Sequence, residues 1–151
     1  MLLSTCFVIF SCGDIESIVS TEWKKCKDKD NCIIDFAHLM SFEWDTMCFY
    51  SMGCSYDAII EDLGFNLKED PDLSDLVIFL NNGKGVYQEM YFHQPSEPPE
   101  GIVFTSDSIK FRVSKREAKF KIEKVEKAFF LTRCSTTKAE GADKVSHKQE
   151  E

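Results

Sequence analysis

Apolar residues in this chain come in short runs bounded by polar turns, and few of them recur at helical spacing. Leu76-Val77-Ile78-Phe79-Leu80 is a continuous apolar run flanked by turn residues, which predicts a central strand buried on both faces. Asn81-Asn82-Gly83-Lys84 follows. Asn-Gly suits the two positive-φ positions of a type I′ turn, so Gly85 to Phe92 is expected to return antiparallel. Phe42 to Tyr50 alternates imperfectly with aromatic and sulfur side chains and reads as another strand. Cys32 to Phe36, Ile102-Val103-Phe104 and Ile109 to Val113 read as shorter ones. The best helix begins at Ser55, an N-cap, carries Asp57 in its first turn and an apolar face of Ala58, Ile59, Ile60 and Leu63, and ends at Gly64. From Ala118 to Arg133 two periods compete. Ala118, Ile122, Val125 and Phe129 fit a helix face, whereas Phe120 and Ile122 alternate with lysines and Phe129-Phe130-Leu131 is strand-like; two strands joined near Val125 are preferred. The pattern predicts a single small α+β domain, mostly antiparallel sheet with one or two helices.

The two ends differ from this middle. Leu2 to Phe10 is apolar and stops at Ser11-Cys12, a small residue followed by cysteine, as in a bacterial lipoprotein signal. Residues 1–11 are then the signal and Cys12 the lipidated first residue. Met1-Leu2-Leu3 lacks the basic n-region such signals carry, and the same residues would also suit a buried strand. Between Cys12 and Glu22 only Ile15, Ile18 and Val19 interrupt small, polar or acidic residues, so 12–21 is expected to be a tether and 22–134 the domain. Residues 135–151 hold almost nothing to bury and are expected to be disordered. No other segment approaches the ~20 apolar residues of a membrane-spanning helix. The expected location is the bacterial cell envelope, with lipid at Cys12 as the only membrane attachment.

Seven cysteines are many for a chain of 151 residues. Removing Cys6 and lipidating Cys12 leaves five. Cys26 and Cys32 bracket a turn-prone polar loop and are the expected disulfide. Cys48, inside an apolar run, suits a buried thiol, which leaves Cys54 to pair with Cys134 or with nothing. The paired C-x2-C spacing of a structural zinc site does not occur, and Asp28, Asp30, Asn31 and Asp35 lack the glycine and terminal glutamate of a calcium loop. No metal or cofactor is expected.

Charge is distributed unevenly. Between Asp14 and Asp107 there are 19 acidic and 6 basic residues, a balance of -13, whereas Ser108 to Glu151 holds 12 basic and 7 acidic, a balance of +5. An acidic surface of this kind disfavours nucleic acid and anionic headgroups and favours a cationic protein partner, besides keeping the protein soluble. Asp57, Glu61, Asp62, Glu69, Asp70, Asp72 and Asp75 are the candidate partner-binding residues. The basic run Lys115, Arg116, Lys119, Lys121, Lys124 and Lys127 reads as a solvated face that pairs with acidic parts of the same protein.

Catalytic patterns are lacking. His38, His93 and His147 have no local partner that makes a site, and neither H-E-x-x-H nor G-x-S-x-G occurs. Asn82-Gly83-Lys84-Gly85 precedes a strand and lacks phosphate-loop spacing. The expectation is a non-enzymatic protein with no assigned oligomeric state.

The Trp23/Cys26/Cys32 loop, Phe42-Glu43-Trp44-Asp45-Thr46-Met47-Cys48-Phe49-Tyr50, the helix ending Leu63-Gly64-Phe65, and Leu76 to Lys84 give an order of elements that resembles small bacterial envelope lipoproteins, including immunity proteins of contact-dependent inhibition systems. This resemblance implies a binding protein that covers a toxin or enzyme. The alternative is a structural or accessory envelope lipoprotein with no toxin partner.

Overall fold

Asn82 and Gly83, at φ 52° and 76°, form the tight turn expected of Asn-Gly and set strands β3 (Ser74–Asn81) and β4 (Lys84–Phe92) antiparallel. The computed structural model describes residues 14–135. The signal segment, Cys12 and the tail beyond Ser135 therefore lie outside the described residues. The remaining elements are α1 (Ile15–Lys25), β1 (Ile33–Asp35), β2 (Thr46–Tyr50), α2 (Tyr56–Leu63), β5 (Gly101–Thr105), β6 (Lys110–Ser114), β7 (Lys119–Val125) and β8 (Ala128–Arg133). Two short 3-10 turns, Phe36–His38 and Lys115–Glu117, lead out of β1 and into β7. One sheet has strand order β1-β7-β8-β5 and the second β4-β3-β2-β6. Among the described residues every pair is antiparallel except β5 with β8. The result is one small α+β domain.

The second sheet is the middle layer. Val77 and Phe79 of β3, with Met47 and Phe49 of β2, face the first sheet and join Ile34, Phe120, Ile122 and Leu131 in the larger core. Leu76, Ile78 and Leu80, with Cys48 and Tyr50, face the other way and are covered by Ile59 and Leu63 of α2. Double burial explains why β3 is apolar at consecutive positions. The first sheet has one dry face only, so β7 alternates exposed Lys119, Lys121 and Glu123 with buried Phe120 and Ile122. Glu126, at φ 52°, turns β7 into β8, and the two-strand reading of this segment stands. Phenylalanines knit the layers: Phe36 meets Phe120 edge-on at 5.7 Å, and Phe49 lies between Phe104 at 5.2 Å and Phe111 at 5.0 Å.

Helix α2 starts and stops where expected, with Ser55 Oγ accepting from Ala58 N at 3.3 Å and Gly64 closing it at φ 79°. Two expectations are corrected. The run expected as a strand from Phe42 enters the ladder only at Thr46; before it, Phe42 stacks on Tyr87 at 5.1 Å and Trp44 stands edge-on to Phe79 at 4.9 Å, so these rings cap the core from a bend. The tether expected over 12–21 is helical from Ile15, and the domain boundary expected at Glu22 falls inside α1. Asp14 caps this helix by accepting from Ser17 N at 2.7 Å, and Ile15 and Val19, one turn apart, are fully buried. Trp23, on the same stripe, packs edge-on to Phe129 at 6.4 Å.

A carboxylate holds the start of α1 in place. Glu89, on the core-facing side of β4, accepts from Ile15 N at 2.9 Å and from the hydroxyls of Tyr87 and Tyr91. Burial, then the bond to Glu89, pushes the Tyr91 phenol well above its ordinary range. At the far end of α1, Cys26 and Cys32 form the expected disulfide, with Cα atoms 5.7 Å apart, and Cys32 leads into β1. Cys48 is a buried free thiol; Cys54 and Cys134 are both free.

Replacing Glu89 with leucine removes the acceptor shared by Ile15 N, Tyr87 and Tyr91. The expected loss is about 2 to 4 kcal/mol of stability in urea denaturation. Faster amide hydrogen exchange along α1 than along β3 is expected with it, which would show that the helix is the element released.

Candidate functional site

All four strands of the second sheet reach one end of the domain, two by their starts and two by their finishes, and the residues at or just beyond those ends make a rim. Ser51 N donates to Ile109 O at 2.7 Å, which brings the end of β2 beside the start of β6. Met52 N donates to Asp75 Oδ1 at 2.9 Å, joining the same end of β2 to the start of β3. Ser74, after Leu73, is paired with Phe92 at the end of β4. Ile109, Met52, Leu73 and Phe92 thus follow one another across the sheet, and all four are exposed, at 59%, 40%, 62% and 59%. Below Ile109 lies a cavity of about 270 Å³, lined in part by Tyr50, Cys54, Ser55 and Ile59.

The candidate carboxylates divide into free and committed groups. Asp57 and Glu61 are exposed on α2, and Glu69, Asp70 and Asp72 are exposed on the loop that climbs from α2 to Leu73. Asp70 and Asp72 form a local turn, Asp70 Oδ1 accepting from Asp72 N at 3.1 Å. Asp75 is half-buried; besides Met52 N it has His93 Nε2 3.8 Å from its second oxygen. Asp62 is tied down most. It accepts from Tyr50 Oη at 2.5 Å and Lys110 Nζ at 3.0 Å, with Arg112 Nη2 at 3.5 Å. These bonds, Tyr50 first, hold its carboxyl below the usual carboxylate range. Burial and the same bond push the Tyr50 phenol far up. Asp62 and Asp75 therefore serve the fold, and Asp57, Glu61, Glu69, Asp70 and Asp72 remain turned to solvent.

Elsewhere the titratable groups are scattered. His38 is exposed in the 3-10 turn after β1, and His147 lies outside the described residues. Cys54 donates through Sγ to Ile109 O at 3.4 Å, and partial burial raises its thiol above the ordinary value. That favours the protonated, weakly nucleophilic form. Among the described residues no three His, Cys, Asp or Glu side chains converge as a metal site. The basic run, expected as one solvated face, is divided: Lys119 and Lys121 lie on the exposed face of β7, Lys115 and Arg116 are in the 3-10 turn before it with Lys115 Nζ over the Trp44 ring, and Lys124 Nζ lies over the Phe129 ring. Part of the basic surface is paired internally: Lys119 lies 3.8 Å from Asp35, Lys127 2.8 Å from Glu100, and Lys110 and Arg112 reach Asp62.

The apolar rim is the feature that sequence reasoning missed. Its residues sit at strand ends, where an apolar side chain reads as core; their exposure depends on which strands end side by side. Compared with protein-family models, with curated proteins and with solved structures, the chain matches none.

Asp62 gives a pH test of its network. Its folded pKa lies below the unfolded one, so its contribution to stability is complete above the unfolded value, about 3.9, and is lost as pH falls through the depressed folded value. Asp62→Asn is expected to lower stability at pH 7 and to reduce the loss between pH 5 and pH 2. Urea unfolding of both proteins across that range checks it; parallel pH curves would remove the assignment.

Proposed function

We propose that this protein is an envelope-anchored, non-enzymatic binding protein, in its sharpest form an immunity or inhibitor protein whose acidic surface covers a cationic toxin or enzyme. The observation that carries this reading is the juxtaposition of an exposed apolar rim with the solvent-facing Asp70 and Asp72. Carboxylates of this kind steer and select a basic partner, while apolar side chains supply affinity once it has docked. The acidic balance of the chain from Asp14 to Asp107 supports the sign of the partner's charge. The resemblance to envelope immunity proteins supports the class.

The anchor rests on the apolar run ending in Ser11-Cys12. Lipid at Cys12 would leave only Gly13 before the capping residue Asp14, so the domain would meet its target at the membrane surface, outside the cytoplasm. That location fits a toxin acting in the envelope better than a nuclease. A second reading, an accessory lipoprotein within a larger envelope assembly, draws support from the same apolar rim, because exposed apolar side chains gathered at one end of a sheet suit a protein contact of any kind.

Two measurements on the full chain test the proposal. Intact mass of the membrane-extracted protein is expected to show loss of residues 1–11 and gain of acyl chains, both abolished in Cys12→Ala. Titration with a basic toxin-domain protein encoded beside it is expected to give a complex that weakens roughly tenfold or more between 50 and 500 mM salt. An unprocessed N-terminus overturns the anchor, and no complex at low salt overturns the inhibitor reading.

A further inference from the structure

We propose that the docking surface is the rim itself, and that its occupant is a basic protein presenting an apolar side chain ringed by lysine or arginine. This rests on the binding-protein reading above and names the site and the contact chemistry. Single exposed apolar residues are ordinary on any surface. Here Phe92 ends β4, Leu73 and Ile109 immediately precede β3 and β6, and Met52 lies two residues past β2, so one exposed apolar residue stands at this end of each strand in the order β4-β3-β2-β6. At ~4.8 Å per strand spacing the row is about 14 Å long, which is the scale of the buried centre of a protein interface.

Leu73 is the most strained residue of the rim. It holds φ 56°, in the left-handed region, while 62% exposed. A leucine there is strained relative to ordinary backbone, and glycine or asparagine would relieve most of that strain. Folding gains little from an exposed leucine in that conformation. Strain kept without a packing return is characteristic of binding positions.

Charge selects the occupant. The exposed Asp70 and Asp72 run into Leu73, Asp107 precedes Ile109, and Asp57 opens α2 just beyond Met52. The basic side chain nearby is Lys110, which is tied to Asp62, and the His93 imidazole lies beside Asp75. An apolar row bordered mostly by carboxylates disfavours anionic lipid and disfavours a second copy of the same acidic rim; it complements a basic border around an apolar knob.

The test uses the full chain and a capped peptide of alternating arginine and leucine, with arginine replaced by glutamate, or leucine by serine, in two control peptides. Amide shift changes on titration are expected to gather at Met52, Leu73, Phe92 and Ile109. Leu73→Asn and Phe92→Ser are each expected to weaken the arginine-leucine peptide about fivefold or more, while Leu73→Asn leaves the melting temperature unchanged or raised. A purely structural role predicts the reverse, lowered melting with binding unaltered. Ile33→Ser, on the outer face of the first sheet, is expected to bind as the parent does. Shift changes elsewhere, equal binding by the glutamate peptide, self-association abolished by Phe92→Ser, or binding to vesicles of anionic lipid with the same dependence would each overturn the proposal. Salt-sensitive capture of the basic protein that survives Leu73→Asn and Phe92→Ser would overturn the rim alone and leave the inhibitor reading standing; loss of all binding to basic ligands would remove both.

Discussion

Strand β3 is buried on both faces, and neither cover is local to it. Val77 and Phe79 need the first sheet, while Leu76, Ile78 and Leu80 need α2. A strand of this kind cannot be satisfied by its hairpin with β4 alone, because a two-stranded ribbon leaves both faces wet. The chain must bring β2 alongside, send α2 over one face, and then build four more strands, three of them in the opposing sheet, from residues beyond Gly101. The aromatic contacts follow from this geometry. Phe49 and Phe79 point across the gap into Phe104 and Phe36, and Phe111 stacks beside Phe49 within the same sheet, so each layer is held by rings supplied from distant parts of the sequence.

Burial on both faces also has an end, and surface character changes abruptly there. Where β3 and its neighbours stop, α2 and the first sheet no longer cover them, and apolar side chains meet water. Along the sheet's length, by contrast, charge is largely spent within the fold: Asp62 binds Tyr50, Lys110 and Arg112, and Glu89 binds two tyrosines and a backbone amide. The protein thus separates two uses of carboxylates. Those in contact with the layers fix their relative positions, and those on the loop before Leu73 remain available to solvent.

Legibility in the sequence followed the range of the interactions involved. The β3–β4 hairpin, α2 with its Ser55 and Gly64 caps, the β7–β8 alternation and the Cys26–Cys32 bridge all depend on residues within a few positions of one another, and each could be read directly. Helix α1 was hidden because its stripe is sparse. Ile15, Ile18, Val19 and Trp23 keep helical spacing, but the polar residues between them and the preceding apolar run make a tether an equally natural reading. The pairing of β6 with β2 and the parallel pairing of β5 with β8 depend on strand order, which no local pattern encodes. The same holds for the candidate site. Asp62 lies about fifty positions from its cationic partners, and nothing near Leu73 in the sequence reveals that Phe92, Met52 and Ile109 end beside it.

The clamp on α1 has a mechanical consequence. A pull on the chain from the N-terminal side of Asp14 reaches the domain first at the bond from Ile15 N to Glu89, and through it the edge strand β4. If that contact yields, the helix can peel only as far as Cys26, because the disulfide passes the load to Cys32 and so to β1, a strand of three residues on the far edge of the other sheet. Tension on the chain from that side would therefore be borne in two stages, first by this hydrogen bond together with the buried Ile15 and Val19, and then by a covalent link at the other edge of the domain.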